Sequence, residues 1–226
     1  MSGFSRHSTH AMQLPRLSAP SHARPTLLAV LVLAACTSSK EASLAPPTVA
    51  VTGHQTLAAP AAFSALPKEQ RAAALFVEAS KVLTHPRCTN CHPPDDRPRQ
   101  RAGEPHEPPV ERGPDDHGIV LLRCDSCHQD HNLTHARVPG APKWGLAQRQ
   151  MVWLGRTPAQ ICAQLKDSQR NGKKTLAEIV EHAAHDPLVA WGWAPGQGRE
   201  PAPGTQAQFG ALIAAWAEAG AHCPQE

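Results

Sequence analysis

Two pentapeptides, Cys88-Thr89-Asn90-Cys91-His92 and Cys124-Asp125-Ser126-Cys127-His128, carry the densest chemistry in this chain of 226 residues. Each places two thiols three positions apart and an imidazole directly after the second. That is the pattern of covalent c-type haem attachment. The two sulfurs reach the vinyl groups on one porphyrin edge, and the adjacent His ligates the iron from the proximal side. Cys88, Cys91, Cys124 and Cys127 are expected as thioether sulfurs, His92 and His128 as proximal ligands, and two haem c groups as cofactors. Arg87 and Arg123 precede the motifs, so a short repeat recurs with an offset of 36 residues.

The rival chemistry is a four-thiolate zinc or thiol-redox site, since C-x-x-C pairs recur in zinc ribbons. There the gap is usually about 15–20 residues, against 32 between Cys91 and Cys124. With 14 His among 226 residues, a His following both pairs by chance has odds of roughly 0.4%, so the C-x-x-C-H reading stands first.

A haem iron can take a second axial ligand, Met raising the potential and His lowering it. His85, His131 and His135 lie too near their own motifs to cross to the distal face. His106 and His117 sit in the connection between the motifs, which is long enough to pass over a ring. Met151 follows the turn-rich Val138-Pro139-Gly140-Ala141-Pro142, and His182 falls on an expected helix. The order of distal candidates is His106, Met151, His182, then His117. An iron left with five ligands would permit chemistry, with His117 and Asp115 or Asp116 as its acid–base group.

The elements that must position these groups are helices. Pro67-Lys68-Glu69-Gln70 opens one with Leu75, Phe76, Ala79, Val82 and Leu83 on its apolar side, a face expected to pack on porphyrin. Thr157-Pro158 starts another with Ile161, Cys162 and Leu165 inward, running to about Asn171-Gly172. Thr175-Leu176-Ala177-Glu178 is a capping box that starts a third, which carries His182. Gln206 to Ala219 puts Phe209, Leu212, Ile213 and Trp216 on one stripe, with Gly220 as its stop. Between Pro93 and Pro114, seven Pro and nine charged residues in 22 positions leave no regular element expected. The run Leu188 to Gly196 reads as an apolar, aromatic core plug. No stretch alternates as a strand, so the fold class is all-α with long irregular loops, the two haems serving as core.

Composition agrees. The 23 Pro are about twice the ordinary share of about 5%. Aromatics are 4% with no Tyr, so a cofactor must supply buried apolar area that the side chains lack. A net charge of +3 without basic clustering gives no nucleic-acid surface.

Residues 1–35 read as an export signal: Arg6, Arg16 and Arg24 precede the apolar run Thr26 to Ala35, too short to span a bilayer. Leu33-Ala34-Ala35-Cys36 resembles a bacterial lipobox, which implies lipidation at Cys36. Residues 36–66 read as a flexible tether, and 67–226 as the di-haem domain. The remaining cysteines, Cys162 and Cys223, are expected to form a disulfide in an oxidising compartment.

The region from Arg112-Gly113-Pro114-Asp115 through the second motif, with Gln150-Met151, Ile161-Cys162, Asn171-Gly172, His182, Trp191-Gly192-Trp193 and Gly220-Ala221-His222-Cys223-Pro224, resembles a group of periplasmic di-haem cytochromes. These are carried under the label isoquinoline 1-oxidoreductase subunit, and the resemblance covers roughly residues 70–225. It implies a cytochrome c-like electron carrier outside the cytoplasm; the lipobox adds the expectation of a lipid anchor in a Gram-negative envelope. Its implied partner is a molybdenum hydroxylase that oxidises an N-heterocycle or aldehyde.

Overall fold

The computed structural model describes residues 56–226. The export signal, Cys36 and most of the expected tether lie outside them.

Among the described residues, six α-helices carry the fold. The 16-residue α1 (Lys68–Leu83) turns its apolar side inward, with Leu75, Phe76, Ala79 and Val82 at most 1% exposed. Its main partner is α6 (Gln206–Glu218), whose Phe209, Leu212, Ile213 and Trp216 recur at the three- and four-residue spacing of one helix face. Phe76 and Trp216 meet at 5.1 Å between ring centroids. The expectation that the α1 face packs on a porphyrin is therefore corrected. Protein side chains cover most of it, and Leu83 at its end lines the cavity described below.

Short α2 (Pro86–Thr89) follows α1 and contains Cys88. After a long irregular stretch, α3 (Pro158–Lys166) begins at a complete capping box between Thr157 and Gln160 and buries Ile161, Cys162 and Leu165. It ends at Lys166, short of the expected Asn171-Gly172. Asn171 instead folds the following turn, donating to the Leu165 and Lys174 carbonyls at 2.7 and 3.0 Å. A second capping box, Thr175 with Glu178, starts α4 (Leu176–His185), and α5 (Pro187–Ala190) follows. α4 lies close along α6: a Cβ on Gly210 would stand 2.7 Å from Ala184 Cβ, so only glycine allows that approach.

Cys162 and Cys223 are joined in a disulfide with their Cα atoms 5.6 Å apart, tying α3 to the segment after α6.

The proline-rich connection is not wholly irregular. β1 (Arg99–Gln100) pairs antiparallel with β2 (Glu104–Pro105), and β3 (Gly118–Ile119) with β4 (Leu122–Arg123). Each strand has two residues, too few for an alternation pattern to show. The β3–β4 hairpin leads into the second motif and leaves Val120 and Leu121 exposed at its tip.

Residues 57–66, expected in the tether, lie against the domain. Leu57 is buried in the core, the Ala58 N–H donates to Glu78 Oε1 at 2.8 Å, and a 3₁₀ turn spans Pro60–Phe63. The Ser, Ala and Pro composition conceals two apolar contacts with the core, Leu57 and the partly buried Phe63.

Among the described residues, no helix is long and apolar enough to cross a membrane.

Candidate functional site

The first motif is built on α2. His85 caps it, its Nδ1 accepting the Arg87 N–H at 3.2 Å, so His85 serves the motif's backbone. The segment 147–154 lies along the motif: Ala147 N–H donates to Cys91 O at 2.9 Å, and the Trp153 and Leu154 N–H groups both donate to His92 O at 3.0 and 3.2 Å. His92 Nδ1 is 2.9 Å from Met151 O. A carbonyl only accepts, so Nδ1 carries the hydrogen and Nε2 keeps its lone pair. The Trp153 ring lies parallel to the imidazole at 3.4 Å and 4°. Burial pushes the His92 pKa down to about 3, so the ring is neutral. Burial also pushes the Cys88 and Cys91 thiols up, to about 12 and about 11.

These groups open into a cavity of about 300 Å³. Leu83, Leu165, Ile179, Val189, Phe209 and Ile213 give it apolar walls. His182 of α4 also lines it, its Nδ1 3.1 Å from Asp186 Oδ2. Met151 lines it as well, although its carbonyl holds the His92 imidazole.

The second motif repeats the arrangement at the surface. Cys124 to Ser126 form a single 3₁₀ turn, with Cys124 half-buried and Cys127 exposed. His128 Nδ1 is 2.7 Å from Pro139 O, again leaving Nε2 free. Trp144 lies parallel to it at 4.7 Å and 10°, and burial lowers its pKa. The His106 ring stands 5.9 Å from the His128 ring, with Nδ1 2.9 Å from Pro108 O. A Cβ on Gly140 would lie 2.2 Å from His131 O, so glycine is required where the chain folds back on this motif.

The two motifs are linked. Trp144 meets Trp191 edge-on at 4.9 Å, and the Arg87 guanidinium lies 5.7 Å over Trp191. Asn132, just after the second motif, accepts from Trp191 Nε1 at 2.9 Å and donates to Ala194 O at 2.9 Å. Trp191 thus stands between the sites rather than plugging the core, while Trp193 packs against Phe209. Buried Arg112 clamps the surrounding loops through Asp116 at 2.6 Å, Asp96 at 3.5 Å and the Ala147 carbonyl.

The remaining candidates fall elsewhere. His117 Nδ1 is held by Trp144 O at 2.9 Å. Asp115 pairs with Arg123, and Asp116 with Arg112. His131 and His135 are exposed. Among the described residues, no group of three or more His, Cys, Asp and Glu side chains converges on a metal position. A larger, open cleft of about 560 Å³, lined by Arg112, Arg149, Gln150 and Lys173, holds no motif residue.

The first cavity has in its lining the chemistry that one face of a porphyrin would need. It is apolar, two thiols and an imidazole lie on its wall, and two of its lining residues carry buried donors, Arg87 Nε and Trp153 Nε1, without partners among the described residues. Such orphan donors suit the carboxylates a porphyrin carries. Sequence reasoning missed Trp144, Trp153 and Arg112 as supports. No local spacing marks the two Trp, which reach their imidazoles across 16 and 61 residues, and Arg112 joins its near neighbour Asp116 to Asp96 and Ala147, 16 and 35 residues away.

Comparison with protein-family models, with curated proteins and with solved structures gives no match to this chain.

Proposed function

We propose that the protein is a di-haem c-type cytochrome that carries electrons outside the cytoplasm, held to a Gram-negative envelope membrane by a lipid on Cys36, and that it is not an enzyme on its own. The observation that carries this reading is the repeated support of the motif imidazoles. His92 and His128 each donate Nδ1–H to a main-chain carbonyl, lie parallel to a Trp, and keep Nε2 bare. Ligating imidazoles need that fixed tautomer.

Bound haem would supply a reversible one-electron change at iron. The chain's part is to keep the site rigid through that change. Met151 O and Pro139 O fix the two rings, Trp153 and Trp144 prevent their rotation, and the apolar walls of the first cavity exclude water. The line Trp144, Trp191 and Arg87 joins the sites at contact distances, which suits passage of an electron from one to the other. The exposed second motif suits exchange with a partner protein, for which the family resemblance implies a molybdenum hydroxylase.

Two other readings have less support. A peroxidase-like centre needs a free acid–base pair, but Asp115 and Asp116 are engaged with arginines and His117 with Trp144 O. A zinc site needs three or more ligating side chains brought together, and among the described residues no such group of His, Cys, Asp and Glu converges; a redox dithiol needs a thiol of lowered pKa, whereas burial raises those of Cys88 and Cys91.

Optical potentiometric titration of the purified protein tests the reading. Two reversible one-electron steps with a sharp reduced α-band, and no peroxide turnover, are expected. Steady peroxide consumption, or a colourless protein, would overturn it.

A further inference from the structure

Resting on the two-haem reading, we propose that both irons are ligated by two imidazoles, His92 with His182 in the buried site and His128 with His106 in the surface site.

His182 is prepared as a ligand. The capping box of Thr175 and Glu178 fixes the start of α4. Three residues on from Ile179, His182 lines the cavity with His92 from its solvent side, its own side chain 48% exposed. Its Nδ1 faces Asp186 Oδ2 at 3.1 Å, and Asp186 is itself fixed, its Oδ1 accepting Leu188 N–H at 2.8 Å. A carboxylate on Nδ1 leaves Nε2 bare and raises its basicity, as in metal sites generally. Met151 is the wrong residue for this place, since its carbonyl holds His92 and so sets it on the proximal side.

His106 is prepared in the same way. Pro108 O fixes its Nδ1, and its own backbone is pinned by His106 N–H to Pro98 O at 2.9 Å and by Arg97 Nη2 to His106 O at 3.1 Å. Two imidazoles sharing one metal, with bonds of about 2 Å and about 1.1 Å from nitrogen to ring centre, stand about 6 Å apart. The His106 and His128 centroids are 5.9 Å apart. The 68° between their planes is permitted, because each ring turns about its own metal bond.

The test is low-temperature EPR of the ferric full-length protein with haem counted as the pyridine haemochrome. Two low-spin signals of bis-imidazole type are expected. His182→Ala and His106→Ala should each turn one of the two signals high-spin, the double variant both, with two haems per chain retained throughout. Added imidazole should restore the low-spin signal. In a Cys124→Ala/Cys127→Ala chain carrying only the first haem, His182→Ala should act and His106→Ala should not.

Unchanged low-spin signals in either single variant would overturn the corresponding assignment, as would loss of a signal in Met151→Leu. Reversed effects in the one-haem chain would overturn the pairing. A wild-type chain without haem would fail the function itself, a result the haemochrome count separates from the others. Should a variant lose haem altogether, His182→Met or His106→Met decides: retained low-spin iron with a changed axial signature supports the assignment, and an unaltered bis-imidazole signature sinks it.

Discussion

The indole of Trp153 lies flat on the imidazole of His92, with 3.4 Å between centroids and 4° between planes. Trp144 repeats the relation on His128 at 4.7 Å and 10°. Two motifs whose sequence likeness ends at a preceding Arg have the same support, a carbonyl on Nδ1 and an indole on the ring face. The indole blocks rotation about the Cβ–ring bond, which the carbonyl alone restrains weakly.

Trp153→Ala should leave two haems per chain but cost about 3 kcal/mol of stability, since a buried indole is lost and a void remains. Urea unfolding followed at the haem band measures the loss, and a broadened EPR signal from the first iron should accompany it. An unchanged unfolding midpoint would show that the indole does not support the ring.

Arg112 is 2% exposed and joins loops that are distant in sequence through Asp96, Asp116 and the Ala147 carbonyl. Removing one side of a buried ion pair costs about 3–5 kcal/mol; the partial exposure of both aspartates places Arg112→Met near the lower figure. Arg112→Lys should recover little, because a point charge cannot reach three acceptors in a fork. Chemical denaturation of both variants checks this, and full recovery by Lys would contradict it.

Replacing Cys162 and Cys223 together with Ala should lower stability by about 4 kcal/mol at most, the loop-entropy value for a 61-residue separation. Haem content and spectra should be unaffected, because the disulfide ties α3 to the C-terminal segment and no motif residue takes part. Thermal melts with paired haemochrome assays separate the two effects.

His92 keeps its proton off down to about pH 3 when folded, whereas a free imidazole takes it up near 6.5. The unfolded chain therefore binds the proton first, and stability falls as pH drops from 6.5 toward 3, by at most about 1.4 kcal/mol per pH unit. Ligation to iron, as proposed above, would deepen the preference for the neutral ring. Urea midpoints at pH 7, 5 and 4 should decline, with a shallower decline in His92→Gln; equal slopes would exclude the group.

Local signals in the sequence were legible, and long-range ones were not. The Thr175–Glu178 capping box, the Thr157 N-cap, the α6 stripe and the Cys162–Cys223 pair could be read because each depends on residues a few positions apart, or on simple counting; the Gln160 half of the Thr157 box was not read. The ends of α3 and of the tether could not, since Asn171 and Leu57 act through tertiary contacts. The thiol and imidazole groups of the two candidate sites were written in two pentapeptides. Their Trp supports, the cavity shared by His92 and His182, and the approach of His106 to His128 arise only when loops far apart in sequence fold together.

Intact mass of the mature protein, made in a host with working cytochrome c maturation, is the most direct measurement of the central claim. Two covalent haems should appear as a mass gain of two porphyrin groups that survives denaturation. Cys88→Ala/Cys91→Ala and Cys124→Ala/Cys127→Ala should each remove one of them. A polypeptide of unmodified mass at both motifs would contradict the account.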